Sequence, residues 1–240
     1  MAQVQLVVFD MAGTTVKDEN EVQACFFTAA ESTGLQAERD RITAMMGWAK
    51  KRVFQTLWQE QIGVEHPDYA ASVEGSYAKF KEVLEHHYQT QPVQPTEGCL
   101  DLFTWLNSQN IKIALNTGFY REVTDIILNR LGWDLGLNEN YVGSDSIIQA
   151  SITPSEIYNS EGRPAPYMIQ KAMYLLGIKD PKTVIAIGDT PSDLEAGIHA
   201  NCLLALGVTN GTHTKAQLES YPNHGLLGSL SELKEKIISL

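Results

Sequence analysis

Gln3-Val-Gln-Leu-Val-Val-Phe9, running straight into Asp10-Met-Ala-Gly-Thr-Thr15, is the stretch around which the rest of the chain organises. Its first seven residues form a β-branched apolar run, short enough to be a buried strand. The run stops on a carboxylate. The loop behind it is rich in hydroxyls, holds a glycine and does not open a helix. From Glu19 to about Tyr88 the only periodicity is helical. Val22, Cys25, Phe26 and Ala29 space a helix over 21–33 that Gly34 ends. Val53, Phe54, Leu57 and Trp58 space a second over 51–61, before Gly63, and Val73, Tyr77, Phe80 and Leu84 a third over 69–87. These aromatic positions are expected as the core of the helical block. Gln91-Pro-Val-Gln-Pro95 then reads as a linker.

Beyond the linker the pattern alternates. Helices are expected over 99–107, 121–131, 167–176, 193–200 and 231–240, with strands over 111–115, 183–187 and 202–206 and a short apolar run near Tyr141 and Val142. Strands separated by helices predict an α/β fold, a Rossmann-like parallel sheet with helices on both faces. The opening strand belongs with that sheet. The core is therefore 1–16 plus 96–240, and 17–95 is an inserted helical unit, with hinges near 16–18 and 91–95. No repeat or low-complexity segment interrupts the pattern.

Composition narrows the function classes. The 240 residues carry 18 basic against 29 acidic side chains, a net charge of −11, which argues against nucleic acid or an anionic membrane as partner. A small anionic substrate remains compatible, because local cations override the global sign. No apolar stretch approaches the ~20 residues of a membrane span. Cys25, Cys99 and Cys202 are scattered and form no CxxC pair, so neither a zinc site nor a disulfide framework is expected. With no signal-peptide pattern at the start, the expectation is a soluble cytoplasmic protein.

Ligands of open α/β sheets bind beyond the carboxyl ends of the strands. Three expected strands end in suggestive residues: Asp10, Thr117-Gly118, and Asp189 within Gly188-Asp189-Thr-Pro-Ser-Asp193. A strand-end Asp most often forms a turn or caps a helix. Their joint occurrence, with Arg163 between the last two, is what points to chemistry. Two carboxylates on neighbouring strand ends need a cation between them, and oxygen-only ligands suit Mg²⁺.

These motifs, in this order, resemble the haloacid dehalogenase superfamily of aspartate-nucleophile hydrolases, over the full length including the inserted helical cap. The resemblance implies Asp10 as the nucleophile that becomes an aspartyl-phosphate. It implies Thr117 holding a phosphoryl oxygen, Arg163 neutralising the reacting charges, and Mg²⁺ held by Asp10, the Ala12 carbonyl, Asp189 and Asp193. Thr14, Gly47 and Gly118 would contact substrate. Ordinary members carry a second Asp where this chain has Ala12, to protonate a leaving alkoxide, a contribution of ~10²–10⁴ in rate.

Asp10-Met-Ala-Gly-Thr-Thr15, Met46-Gly-Trp-Ala-Lys50 and Arg163 resemble the phosphonatase branch in particular. There a cap lysine condenses with a carbonyl β to phosphorus, and the iminium draws electrons from the C–P bond. Lys50 would form that Schiff base, with Lys51 as competitor. A carbon leaving group needs no oxygen protonation, so Ala12 fits. The amine must be neutral, and burial with the adjacent charges of Lys51 and Arg52 would lower its pKa. Three positions depart from the phosphonatase pattern: Val53 for His, Phe119 for Tyr and Asn20 for Cys, so the substrate pocket is expected to differ. A helix-starting lysine is otherwise most often solvated, as are His86 and His87. Trp48 either lines the pocket or packs the cap. The expected function is Mg²⁺-dependent cleavage of a 2-oxoalkylphosphonate. The alternatives are a phosphatase for phosphate substrates with good leaving groups, and a non-catalytic binding protein. By the same resemblance a homodimer through the cap is expected.

Overall fold

The computed structural model describes residues 4–240, so Gln3 of the expected first strand lies outside the described residues. The elements run β1 (Leu6–Phe9), α1 (Glu21–Thr33), α2 (Arg39–Ala44), α3 (Lys50–Ile62), α4 (Tyr69–Thr90), α5 (Cys99–Ser108), β2 (Lys112–Asn116), α6 (Arg121–Leu131), β3 (Ala150–Ile152) and α7 (Tyr167–Leu175). Then come β4 (Val184–Gly188), α8 (Pro191–His199), β5 (Leu204–Val208), α9 (Lys215–Glu219), β6 (Leu226–Leu227) and α10 (Leu233–Ile238). Six strands form one sheet in the order β3-β2-β1-β4-β5-β6, and every pairing is parallel.

The central position of β1 explains its unbroken apolar sequence. Successive strand side chains point to opposite faces. Val7 and Phe9 join a cluster with Phe103 of α5 and Ile127 of α6. Leu6 and Val8 join another with Met168 and Ala172 of α7 and Ala196 of α8. Both faces are covered, so no position tolerates a polar residue until the strand ends. Phe9 is level with Leu115 of β2 and Ile187 of β4, which brings the three strand ends to one edge. The order also reverses direction at β1, where a crevice opens beyond the strand ends.

Between β1 and β2 lie α1 to α4. Phe26, Phe54 and Phe80, each almost fully buried, form their centre with ring centroids 4.2 to 5.6 Å apart. A buried Ser76 hydroxyl takes the Trp58 indole N–H at 2.8 Å and pairs with the Thr33 hydroxyl at 2.7 Å, so this buried polar group is satisfied. The two connections to the sheet run side by side: Lys17 N–H donates to Gln94 O at 2.9 Å and Thr96 N–H to Thr15 O at 3.0 Å. The helical unit stands on this paired stalk.

Several short elements differ from expectation. α2, α9 and β6 lie where no element is predicted. The edge strand is Ala150–Ile152, and the run at Tyr141 and Val142 is a turn: Tyr141 has φ 58°, and Val142 makes only an isolated antiparallel bridge to Ala150. β5 begins at Leu204, two residues later than expected, because Cys202 still closes the turn after α8 with its N–H on Gly197 O at 3.1 Å. The expected last helix is in part a 3-10 turn, Leu230–Glu232, before α10.

Candidate active site

The loop leaving β1 coils tightly on itself. The N–H groups of Thr14, Thr15 and Val16 all donate to the Met11 carbonyl, at 3.1, 2.9 and 2.8 Å, and the Thr15 hydroxyl donates to Asp10 O at 2.8 Å. Gly13 has φ 82°, and a Cβ there would lie 2.9 Å from the Asp189 carboxyl carbon, so both the turn and the neighbour require glycine. The coil holds Asp10 at the sheet edge, 4% exposed.

Arg163 is the hub of the site. It is 2% exposed; its Nη1 donates to Asp10 Oδ1 at 2.6 Å and also contacts Asp193 Oδ1, while its Nε donates to Gly47 O at 3.1 Å. One guanidinium thus ties the β1 end, the α8 start and the helical unit together. Asp193 lies in the first turn of α8, where its Oδ2 accepts the Thr190 N–H at 3.0 Å and hydroxyl at 2.5 Å, a reciprocal N-terminal cap. Asp189, fully buried, accepts from Thr14 Oγ1 at 3.2 Å and Thr212 N–H at 2.6 Å.

Charge in this cluster is out of balance. Asp10, Asp189 and Asp193 place carboxylate oxygens within 4.8 Å of one another. Burial pushes Asp10 up, and although Arg163 pulls it down, Asp193 and Asp189 add to the rise. Asp189 is raised by burial and by Asp193. Three carboxylates against one guanidinium call for a further cation. Among the described residues no N–H donates to the Ala12 carbonyl, which leaves a neutral oxygen at the same place. This all-oxygen donor set fits Mg²⁺.

Thr117 and Gly118 follow β2. The Thr117 oxygen accepts the Phe119 N–H at 3.1 Å, keeping its proton free to donate, and among the described residues nothing accepts the Gly118 N–H. A Cβ on Gly118 would come within 2.6 Å of Gly47 O and closer still to Trp48 O, so the helical unit's loop rests directly on this turn. Lys50 opens α3 from that loop and is 5% exposed. Its ammonium lies 5.1 Å from the Phe119 ring centroid and 5.7 Å from that of Phe26. Burial, then Arg163, pulls its pKa down to about 8, with Asp10 and Asp18 opposing.

Asp10, Ala12, Gly47, Lys50, Thr117, Gly118 and Arg163 therefore border one cavity, whose free volume is about 20 Å³, space for roughly one water. Thr14 is not among the bordering residues, and its hydroxyl donates to Asp189. One expectation is corrected. Lys51 and Arg52 are not what lowers Lys50: Lys51 pairs with Glu74 at 2.5 Å on the outside of α3, and Arg52 lies over Trp48. Lys51 is thereby turned from the cavity. Trp48 is half-buried and does not border it. The cavity also takes in Asp18, Val22, Met46, Phe119, Thr190 and Thr212. Asp18 is foreseen only as a hinge residue, since nothing in its local sequence marks it out.

A core sheet of this order carrying an aspartate, a threonine and a second aspartate on three adjacent strand ends defines a hydrolase class. A profile of the haloacid dehalogenase-like hydrolases matches residues 4–201, and the chain belongs to that family. Among curated proteins it is similar to the phosphonoacetaldehyde hydrolase of Bacteroides fragilis, 24% identical over 250 residues that cover 100% of this chain and 90% of that one. Among solved structures it is similar to a phosphonoacetaldehyde hydrolase-like protein from Oleispira antarctica, with a TM-score of 0.78 at 16% identity over 98% and 92% of the two chains. A putative β-phosphoglucomutase from Bacteroides vulgatus gives 0.76 at 17% identity over 99% and 90%. At such identities the structural likeness speaks for the fold alone.

Proposed function

We propose that this hydrolase cleaves the C–P bond of a small 2-oxoalkylphosphonate, with an imine on Lys50 and an aspartyl-phosphate on Asp10. The observation that carries this reading is a lysine, buried and with its pKa drawn down to about 8, bordering the same cavity as the strand-end aspartate. A cation that only gripped a phosphate would gain nothing from losing its charge near neutrality. An amine that must attack a carbonyl needs that loss.

The residues divide the work. Neutral Lys50 adds to the substrate carbonyl and, after loss of water, leaves a protonated imine two bonds from phosphorus. Asp10 attacks phosphorus, and the C–P bonding pair moves into the C=N system to give an enamine on Lys50. Arg163, held at 2.6 Å from Asp10, neutralises the carboxylate and the phosphoryl group as they meet. The Thr117 hydroxyl and the Gly118 N–H are free to hold phosphoryl oxygens. Mg²⁺, held by Asp10, the Ala12 carbonyl, Asp189 and Asp193, would supply charge neutralisation at the phosphoryl group. Because carbon leaves as an enamine, no acid is needed at position 12.

The second reading is a phosphatase acting on a small phosphorylated metabolite, favoured by Arg163, the Thr117 hydroxyl and the Gly118 N–H, which can hold a phosphoryl group without any imine. Borohydride separates the two. Treatment with phosphonoacetaldehyde or 2-oxopropylphosphonate is expected to inactivate the enzyme and leave a reduced adduct on Lys50. Lys50→Arg keeps the charge without a neutral amine and is expected to abolish phosphate release from either phosphonate. Activity that resists borohydride and survives Lys50→Arg would establish the phosphatase.

A further inference from the structure

Two carboxylates border the cavity, Asp10 and Asp18. Asp10 is engaged by Arg163; of the two carboxylates outside the lining, Asp193 is held by Arg163 and Asp189 by Thr14 and Thr212. Asp18 is different. It borders the cavity beside Lys50, and among the described residues no cation pairs with it. Its Oδ1 accepts the N–H groups of Glu21 at 2.8 Å and Val22 at 3.4 Å, which anchors the side chain at the α1 start. Asn20, with φ 76°, makes the turn that allows this. The apolar part of the cavity wall is Val22, Met46 and Phe119, with Val53 buried one turn along α3.

Making an imine requires an acid, because oxygen must leave the carbinolamine as water. We propose that Asp18 is the acid–base residue for Lys50, donating a proton to the departing oxygen and recovering one from water when the imine is hydrolysed. This rests on the phosphonate-cleaving reading above. In the forward step the Lys50 nitrogen lone pair forms the C=N bond. The C–O bond breaks with its electron pair on oxygen, and the Asp18 proton completes a water molecule. What remains is a protonated imine and a carboxylate. After C–P cleavage the enamine carbon takes a proton from solvent and becomes a protonated imine again. Water then adds to the imine carbon, its proton goes to that carboxylate, and the carbinolamine and the acid are restored. The proton released when water hydrolyses the aspartyl-phosphate balances the one taken by the enamine carbon, so no outside reagent is used.

The protonation state suits the role. Burial, then the neighbouring Glu21, raises Asp18 to about 7. The ionisable groups facing it are Glu21 and Cys25 of α1, Lys50 of α3, Tyr88 of α4 and Asp189 of the core. His87 of α4 faces Glu21. A protonated Asp18 and a neutral Lys50 give a pH profile that rises up to about 7 and falls above about 8.

Asp18→Asn tests this, since an amide oxygen still accepts from Glu21 and Val22 but cannot pass a proton. Asp18→Ser, which also offers a capping oxygen, is the second variant. With phosphonoacetaldehyde, both are expected to lose ~10²-fold or more in turnover, to lose the alkaline fall of the profile, and to trap with borohydride correspondingly slowly. Asp18→Glu is expected to recover part of the activity. Wild-type trapping with unchanged trapping and an unchanged alkaline limb in Asp18→Asn would overturn the role of Asp18 and leave the imine standing. No trapping in the wild type would overturn the imine, and the role of Asp18 with it.

Discussion

Lys50 stands where helix electrostatics disfavour it. The first turn of α3 holds Lys50, Lys51 and Arg52 and no acid, although the positive end of a helix dipole favours anions. Burial adds to the cost. With its folded pKa near 8 and an unfolded value near 10.4, Lys50 binds fewer protons folded than unfolded between those limits. Its penalty is therefore complete below pH 8 and disappears as pH rises past about 10.5. Lys50→Met is expected to stabilise the fold at pH 7 by up to about 3 kcal/mol, with the gain shrinking toward pH 10.5, as chemical denaturation across that range would show. A gain independent of pH would mean that Lys50 is charged as folded. The Asp10, Asp189 and Asp193 cluster carries the opposite imbalance. Mg²⁺ is expected to raise the melting temperature of the wild type and not of Asp189→Ala; a matching rise in both would place the ion elsewhere. Most of these residues were legible in sequence because each ends a strand or follows a Met-Gly turn. Asp18 was not, because its environment is made by α3, α4 and a distant core loop. The same holds for Thr14, whose partner is 175 residues away.

At the scale of the element, legibility followed punctuation and length. α1 and α6 match their expected bounds because a periodic apolar face ends at Gly34 and Gly132, both left-handed caps. α2, α9, β3 and β6 span two to six residues, too few for a period to show, and tertiary contacts form them. The Ala-Ser-Ile of β3 has little strand propensity and holds its place by pairing with Ala114–Asn116. The longer helices depend on the aromatic cluster they enclose. Phe80 touches both Phe26 and Phe54, and Phe26 borders Lys50. Phe80→Ala is expected to cost about 3–5 kcal/mol of stability, read by denaturant unfolding, and to weaken catalysis by loosening the wall behind Lys50. A cost under ~1 kcal/mol would show that the cluster collapses without it.

At the scale of the molecule, the proposed reactive groups come from two units joined by one paired stalk. Asp10, Thr117 and Arg163 lie on loops of the core, and Lys50 and Gly47 in the helical insertion. With about 20 Å³ free between them, this arrangement has no room for a phosphonate. On the proposed reading the insertion would lift for substrate to bind and return for Lys50 to reach its carbonyl. Gly118 is where that return is felt, because its missing side chain is what lets the Gly47–Trp48 carbonyls settle on the core. Gly118 has no positive φ, so a methyl there strains only the closed contact and not the turn itself. Gly118→Ala is therefore expected to fold with nearly unchanged melting temperature. It should lose ~10²-fold in kcat/KM, since a displacement near 1 Å at a reacting centre costs about that much, and solution scattering should report a larger radius of gyration. If closure were irrelevant, the variant would keep wild-type kcat/KM with an expanded shape. If the contact were a fixed part of the core, the melting temperature would fall together with the activity.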